Sequence, residues 1–401
     1  MASVPNDYVY LDYAATAPLC EEAAEAMAPY QVPGRANLAV GGNANSLHGP
    51  GRAAFAALEE ARRSIARDLG ARRPDGIVFT SGATEADDAA LLGIAQAAAE
   101  ERRRRGAGDF VPHVVVTAVE HDAVLAPAKR LESQGFRVTR LAPNRQGFIE
   151  ERALEAALDA DTVLVSVQAA NSEVGSIQPI ADLARVAHDH AALFHTDAVQ
   201  ALGKARVNLQ ELNVDAASFS AHKVGGPKGV GALYLRARTP FHAYAIGGGQ
   251  EGGRRSGTQN VAGIVGFAAA VHAATAMQEA EAARLRVLRD RLYERLGAID
   301  AVEATVDVAP GSEDFLPNIV HVLVDGLESE TLILRFDMQG FGVSGGSACS
   351  SHSLEPSHVL RSLGIDADRA HGALRISMGR YTDEADVEAF AVAMEKSLNW
   401  N

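Results

Sequence analysis

Short runs of β-branched and other apolar residues alternate with stretches of helical periodicity over much of the chain. From about Ile77 onward the strand-like runs are, in order, GIVFT, HVVVTA, FRVTRLA, TVLVSVQ, ALFHTDA, AASFSA and GALYLR. Short, mostly apolar strands separated by helices are typical of a parallel sheet that is covered on both faces. The pattern predicts an α/β domain with a doubly wound, mostly parallel sheet.

The pattern changes after the Gly-rich segment Gly247 to Thr258. A long helical region rich in Ala, Glu and Arg runs to about Ile299, and the strand-like run NIVHVLVDG follows it. A helix near Glu328 to Gln339 and the strand-like run ALRISMG come next. The change predicts a second, smaller α+β domain.

The predicted large domain covers residues 15–261. The small domain is assigned residues 1–14 together with 262–401, and it carries a loop rich in Gly and Ser at about 343–357. Such a loop has few side chains to pack, so we expect it to be exposed.

Composition narrows the class of protein. The chain has 401 residues with 47% hydrophobic and 22% charged side chains, which suits a globular protein with a sizeable core. Its net charge of -14 argues against nucleic-acid binding as the main function. Cys20 and Cys349 form no CxxC pair, which excludes a disulfide framework or a cysteine-rich zinc site.

The location expected from the sequence is the cytoplasm. The N-terminal run MASVPNDYVYLDY lacks the basic start and apolar core of a signal peptide. The longest apolar stretch, Val261 to Met277, includes His272 and many Ala and Gly residues, and it is shorter than a membrane span. A buried core helix explains it better, so we expect no membrane association.

A candidate anion site follows the first of these predicted strands. In TSGATEADD the strand enters a turn of small residues and then a helix, where the amides of Gly82, Ala83 and Thr84 and the helix dipole would bind a phosphate. An alternative is an ordinary helix N-cap at Thr84, which requires no ligand.

Three further strand ends carry residues with useful chemistry. Lys223, one of five lysines, lies in SFSAHKVGG, where its amine would face the ligand crevice of an open α/β sheet; a surface lysine before a turn is the alternative. Asp197 either pairs with a pyridinium nitrogen or forms an Asx turn or helix N-cap. His121 either stacks on a planar cofactor and relays protons or is structural. Together with the phosphate loop, these groups are the set that pyridoxal phosphate requires.

These motifs, with others, identify a family resemblance. The chain resembles the cysteine desulfurases of the class V aminotransferase group, which are fold type I pyridoxal phosphate enzymes. The similar segments cover nearly the whole chain in order: YLDYAATAP, TSGATEADD, EHDAVL, NSEVGSIQPI, HTDAVQALGK, SFSAHKVGGPKGVGALY, GGGQEGGRRSGTQN, SGGSACSSHSLEPSHVLRSLG and ALRISMGRYTDEAD.

The resemblance implies a role for each matching residue. Lys223 would bind the cofactor covalently, Asp197 would pair with its ring nitrogen, and His121 would stack on the ring. Gln200 would approach the ring oxygen, with Asn171 or Ser172, since Ser172 stands where the family usually has a second Asn. The phosphate ligands would be Ala83, Thr84, Ser220 and His222, joined by Thr258 of a partner subunit, which implies a homodimer. Arg375 and Asn43 would bind the substrate carboxylate. No metal is expected.

Cys349 distinguishes this chain within the broader group. Its surroundings, SGGSACSSHS, favour a reactive thiol over a packed one, whereas Cys20 lacks such a context. The resemblance implies that L-cysteine is converted to L-alanine and that Cys349 receives the sulfur as a persulfide, for delivery to an acceptor such as an iron–sulfur scaffold. His352 either favours the thiolate or is merely exposed.

Two other functions stay open from the sequence. One is a different class V pyridoxal phosphate enzyme, an aminotransferase or a selenocysteine lyase. The other is a protein on the same fold that only binds sulfur-transfer partners and has no activity.

Overall fold

The fold is described here from a computed structural model, in which residues 7–106, 110–345 and 356–399 are described. The strands in that part of the chain are β1 Val9–Tyr10, β2 Ile77–Thr80, β3 His113–Thr117, β4 Arg137–Leu141, β5 Thr162–Ser166, β6 Leu193–Asp197, β7 Ala216–Ser220, β8 Gly231–Leu235, β9 Val302–Ala304, β10 Ile319–Val324, β11 Phe341–Gly342 and β12 Ala373–Ser377. The α-helices are α1 Glu21–Met27, α2 Gly49–Asp68, α3 Ala83–Arg104, α4 Asp122–Ser133, α5 Glu151–Ala157, α6 Ile180–Asp189, α7 Leu209–Leu212, α8 Val261–Gly297, α9 Ser329–Met338, α10 His358–Ser362, α11 Ala367–Ala370 and α12 Glu384–Leu398.

Within the described residues, the main sheet has seven strands in the order β2-β8-β7-β6-β5-β3-β4. All of its strand pairs are parallel except those of β8, which runs antiparallel to β2 and β7. Most of the strands are buried along their whole length, as runs such as HVVVT and TVLVS require. The predicted α/β fold with a mostly parallel sheet is confirmed.

Helices cover the sheet on both faces. Helices α3 and α4 pack on one face, where Ala90, Leu91 and Ile94 belong to the same hydrophobic core as Val114 and Val116 of β3. On the other face, α2, α6 and the first half of α8 enclose a core that includes Leu58, Leu183 and Phe267. This doubly covered arrangement leaves the strand ends as the part of the sheet that can bind a ligand.

A smaller sheet of β12, β10 and β9, antiparallel throughout, belongs to a separate hydrophobic core. This core includes Leu288 and Leu292 from the second half of α8, together with Phe336 of α9 and Phe390 of α12. Helix α8 therefore contributes to both cores, and it begins next to the predicted boundary at 261 and 262. The domain limits themselves stay a prediction.

Helix α8 is the one described helix that is long and apolar enough to cross a membrane by length and composition. Its first half is packed against protein, since α1 and α2 lie along it and Ile264, Phe267 and Val271 are buried. This packing agrees with the buried core helix that the sequence predicts for Val261 to Met277.

A buried ion pair attaches the Gly-rich segment 247–258 to the edge of the main sheet. The guanidinium of Arg62 on α2 donates to both carboxylate oxygens of Glu251, at 2.7 and 3.0 Å. The Glu251 carboxylate also accepts the backbone N–H of Phe79 at 3.0 Å, and Arg62 lies 4.7 Å from the centre of the Phe79 ring. With the two side chains 9% and 1% exposed, neither charge has water as an alternative partner.

We predict that Arg62→Ala lowers the free energy of unfolding by about 3–5 kcal/mol, because it leaves the Glu251 carboxylate buried without its cation. Urea unfolding of the cofactor-loaded protein measures this change. Arg63→Ala is the matched control, since Arg63 pairs with Glu60 on the surface of the same helix and its loss should cost about 1 kcal/mol or less. Equal losses in the two variants would contradict the importance of the buried pair.

Candidate active site

A cavity of about 510 Å³ opens at the carboxyl ends of the parallel strands. It brings together most of the residues proposed from the sequence as site residues: Ala83, Thr84, His121, Ser172, Asp197, Gln200, Ser220, His222, Lys223 and Arg375. These residues come from segments spread over nearly 300 positions, so the sheet topology is what makes them neighbours.

The proposed phosphate loop lies where β2 passes into α3. The helix begins at Ala83 with Gly82 as its N-cap residue and no capping side chain, so the alternative N-cap at Thr84 is wrong. Gly231 on the neighbouring strand lies so close that a Cβ there would be 2.6 Å from the Gly82 carbonyl carbon. The first amides of α3 thus lie against the cavity wall, where a helix N-terminus favours an anion.

Lys223 ends a single 3-10 turn, Ala221–Lys223, that directly follows β7. Its Nζ donates to the carbonyl oxygens of Ala14 and Ala15, at 2.6 and 2.9 Å. The chain turns sharply after the lysine through Gly225, whose φ of 81° lies in the left-handed region. The N-terminal YLDYAAT segment therefore orients the amine toward the cavity.

A second lysine, which the sequence interpretation did not single out, lies behind the first. Lys204 is half-buried and donates from Nζ to the backbone carbonyl oxygen of Lys223 at 3.2 Å. Burial, reinforced by the charge of Lys223, lowers the pKa of Lys204 to about 7. The segment HTDAVQALGK places Lys204 seven residues after the end of β6, away from the strand ends where site residues were expected. The scarcity of lysine in the chain is therefore its only signal in the sequence.

Asp197 and His121 each combine a structural contact with a place in the cavity. The Asp197 carboxylate accepts the N–H of Val199 at 2.9 Å, so the Asx turn considered as an alternative is present. His121 is the N-cap residue of α4, and its Nδ1 accepts the N–H of Ala123 at 3.1 Å. Accepting at Nδ1 assigns the proton of the neutral ring to Nε2.

Three buried carboxyl groups interact electrostatically near the cavity: Asp197 at the end of β6, Glu120 just after β3, and Asp87 near the start of α3; the sequence predicted only Asp197. Burial raises the pKa of Asp197, against the lowering effect of the Val199 amide and of the His121 and Lys223 charges. Burial and the charge of Asp197 raise the pKa of Asp87, while Ser218 offsets part of that rise. Burial also raises the pKa of Glu120 to about 8. Nothing in the sequence signals that Asp87, which is followed by Asp88, and Glu120, which is followed by His121, are buried.

The three polar side chains expected near the ring oxygen of the cofactor differ in whether their hydrogen-bonding groups are already used within the protein. Asn171 uses its amide internally, because its oxygen accepts from Glu173 N and Val174 N and its nitrogen donates to the Val119 carbonyl oxygen. Ser172 lines the cavity. Gln200 donates to the Ala14 carbonyl oxygen at 2.9 Å, and its buried Oε1 has no hydrogen-bond partner within the described part of the chain.

Arg375 lines the cavity and is 2% exposed. It donates to the Ser172 carbonyl oxygen at 3.0 Å and to the Asp12 carboxylate at 2.9 Å.

Not every proposed residue lies in the cavity. Asn43 is exposed and accepts from Asn45 N, and it does not line the cavity. Thr258 is also exposed and outside this cavity. Cys349 and His352 lie outside the described residues.

The donor set of the cavity fits pyridoxal phosphate. A helix N-terminus suited to a phosphate follows β2, the amine of Lys223 follows β7, and the buried carboxyl of Asp197 ends β6, the neighbour of β7 in the sheet. The unpartnered Oε1 of Gln200 indicates that a polar group is missing from its surroundings. No described group of three or more His, Cys, Asp or Glu residues has the arrangement of a metal site.

Comparison with known proteins agrees with this geometry. Residues 9–390 match the family model for class V aminotransferases. The chain belongs to the class V aminotransferase family. It is 42% identical over 390 residues to the cysteine desulfurase IscS of Dictyoglomus turgidum, covering 97% of this chain and 94% of that protein. The family resemblance and the enzyme class predicted from the sequence are confirmed, as is pyridoxal phosphate as the cofactor of this class V enzyme.

Solved structures of the same group superpose over most of the length. A NifS-like protein, 36% identical, matches with a TM-score of 0.87 over 98% of this chain and 100% of its own. A structure described as SspA in complex with cysteine, 33% identical, matches with a TM-score of 0.77 over 94% of this chain and 100% of its own. The class V fold therefore accounts for both domains of the chain.

We predict that the stability of this class V enzyme falls as pH rises from about 4.5 to 8 through its Glu120 carboxyl. Because the folded pKa, about 8, is raised above the reference value of 4.5, the contribution is complete below pH 4.5 and is lost by pH 8. The size is on the order of a few kcal/mol.

Glu120→Gln should flatten this part of the pH profile, since the amide keeps an acceptor for Thr117 and Gln168 N and cannot ionise. Urea unfolding at several pH values measures the effect, with exposed Glu155→Gln as the control. Parallel profiles for the wild type and Glu120→Gln would show that this carboxyl does not control the dependence.

Proposed function

We propose that the protein removes sulfur from L-cysteine, leaving L-alanine, and receives the sulfur on Cys349 as a persulfide. The observation that supports this reaction is the placement of Lys223, Asp197 and Arg375 in one cavity, together with the backbone pairing of Arg375 with Ser344, which precedes the cysteine-bearing segment. A relative described as a complex with cysteine is consistent with this substrate.

Residues on both sides of that segment are hydrogen-bonded either to a cavity residue, Arg375, or to residues next in sequence to cavity residues, Glu173 beside Ser172 and Glu120 beside His121. Ser344 and Arg375 exchange two backbone hydrogen bonds, at 2.7 and 3.2 Å. On the far side, Ser357 Oγ donates to the Glu173 carboxylate at 2.6 Å, and His358 Nε2 lies 2.9 Å from the Glu120 carbonyl oxygen. Five residues of chain span at most about 17 Å, so Cys349 is tethered within reach of the cavity from Ser344.

The cofactor, when bound, supplies an electron sink for the carbanion formed at the substrate α-carbon. Lys223 would hold it covalently, and the Asp197 carboxylate would keep its ring nitrogen protonated. His121 would stack on the ring, while Ser172 and Gln200 would contact the ring oxygen. Ala83, Thr84, Ser220 and His222 would hold the phosphate. Burial, followed by the Lys223 charge, lowers the pKa of His222 to about 4, so this imidazole is neutral at pH 7.

The substrate is bound through its carboxylate by Arg375, with Asn43 reaching the same group on closure of its segment. The guanidinium is already oriented by Asp12 and by the Ser172 carbonyl oxygen. After the substrate amine has replaced it, the Lys223 amine is positioned to take the α-proton. His121 is placed to donate a proton to the substrate carbon from which the sulfur has been removed.

The sulfur transfer itself belongs to Cys349. Its thiolate attacks the substrate sulfur, an S–S bond forms and the substrate C–S bond breaks. The electron pair of that C–S bond stays on carbon, where protonation gives L-alanine. The enzyme then carries the sulfur as a Cys349 persulfide, and a second thiol or metal-scaffold protein accepts it.

The assembly we propose is a homodimer in the cytoplasm. Thr258 does not line the cavity of its own chain, which supports a role in the phosphate site of a partner subunit. Curated relatives carry the name IscS, and we propose an iron–sulfur scaffold as the sulfur acceptor.

We predict that Cys349→Ala abolishes sulfide release from L-cysteine in the presence of a reductant, while the absorption of the bound cofactor is preserved. The substitution removes the thiol that receives the sulfur and leaves every residue of the cofactor cavity unchanged. Sulfide and alanine are measured together, with Cys20→Ala as the control, because Cys20 is buried between α1 and α8.

Four outcomes separate the functions. Loss of sulfide only in Cys349→Ala supports the proposal. Unaffected turnover in that variant would overturn the persulfide step, and it would favour a lyase such as one specific for selenocysteine. A keto acid without sulfide in the wild type would indicate an aminotransferase, and loss of the cofactor spectrum in the wild type would indicate a protein without this activity.

A further inference from the structure

A second cleft lies at the opposite end of the sheet from the active-site cavity. It has a volume of about 640 Å³ and shares no lining residue with that cavity. Gly76 lines the cleft and Ser81 lines the cavity, so strand β2 separates them by about 16 Å at the usual rise per residue. Its charged lining residues are Arg72, Arg73, Asp75, Arg236, Arg238 and Arg254.

The balance of charge in this cleft is opposite to that of the chain. Five arginines meet a single carboxylate there, whereas the whole protein carries a net charge of -14. Asp75 is used by Arg73, at 2.7 and 3.0 Å. Arg236 donates to Asn213 at 2.8 Å and lies 3.5 Å from Asp215, and Arg254 donates to the Asp75 backbone carbonyl oxygen.

Two of the five cations have no such partner. Neither Arg72 nor Arg238 makes a hydrogen bond or an ion pair with any residue in the described ranges. Both side chains are exposed, so they are solvated by water rather than paired within the protein. An anion that enters the cleft can therefore bind them without displacing a protein partner.

The backbone gives a second, independent indication. Arg238 has a φ of 74°, in the left-handed region that non-glycine residues seldom adopt. Strained residues of this kind persist where the surrounding structure fixes them and are frequent at ligand sites. Here the strained residue follows β8 and carries one of the two unpaired guanidinium groups.

We propose that this cleft is a binding site for a small molecule that carries a di- or triphosphate group. Guanidinium groups form paired, charge-assisted hydrogen bonds with phosphate oxygens. The unpaired arginines lie on two separate segments, before β2 and after β8, which suits a ligand with more than one phosphate. The volume is that of a small-molecule site, and Gln210, Asn213 and Tyr234 in the lining offer polar contacts for the rest of the ligand.

The test is isothermal titration of the cofactor-loaded protein with tripolyphosphate at low salt, because bound pyridoxal phosphate occupies the other phosphate site. We expect saturable binding of one tripolyphosphate per subunit that weakens as salt is added. The double variant Arg72→Gln with Arg238→Gln should bind at least tenfold more weakly. The rate of sulfide release and the cofactor spectrum should stay at their wild-type values, which shows that the variant is folded.

The matched control is Arg145→Gln with Arg152→Gln, which removes two exposed arginines outside the cleft. Unchanged affinity in the control supports the site. Absence of saturable binding, or equal weakening in both double variants, would overturn it. Tighter binding of a DNA duplex or of polyglutamate than of tripolyphosphate would also overturn it, in favour of a docking surface for a macromolecule.

Discussion

Ionisable groups held out of water at the carboxyl ends of the parallel strands are the constraint on which the rest of the structure depends. Asp87, Glu120 and Asp197 are buried at or next to these ends within one electrostatic neighbourhood; Lys223, whose charge acts on Asp197, and Lys204 behind it are half-buried. A buried charge is tolerated only with a partner of opposite charge or with hydrogen bonds. The site is therefore arranged for a cofactor that brings a cationic ring nitrogen and an anionic phosphate.

A few contacts between segments far apart in the sequence hold the residues of the site in place. The N-terminal segment after β1 passes over the sheet edge, so that the Ala14 carbonyl oxygen accepts from both Lys223 and Gln200. Ser377 Oγ on β12 accepts the N–H of Ala14 at 2.9 Å, which connects this segment to the small domain. Arg375 lies two residues earlier on the same strand. The small sheet therefore positions the proposed substrate-binding arginine relative to the proposed cofactor lysine.

Much of this arrangement could be predicted from the sequence because its signals are local. Alternating strands and helices fixed the class of sheet, and a parallel sheet places polar residues at its carboxyl edge, which is how Lys223, Asp197 and His121 were selected. The roles of Asp87, Glu120 and Lys204 were not predictable, since each depends on how elements pack. Asn43 and Thr258 were expected from family resemblance alone, and the geometry of a single chain does not bring them to the cavity.

The presence of Lys204 behind Lys223 gives the most direct test of the account, because both side chains are half-buried next to each other and only one can hold the cofactor. Borohydride reduction of the loaded protein fixes the cofactor to its lysine, and peptide mass spectrometry then locates the label. The account predicts the label on Lys223 and an unmodified Lys204. A label on Lys204, or one divided between the two lysines, would contradict the assignment of the site.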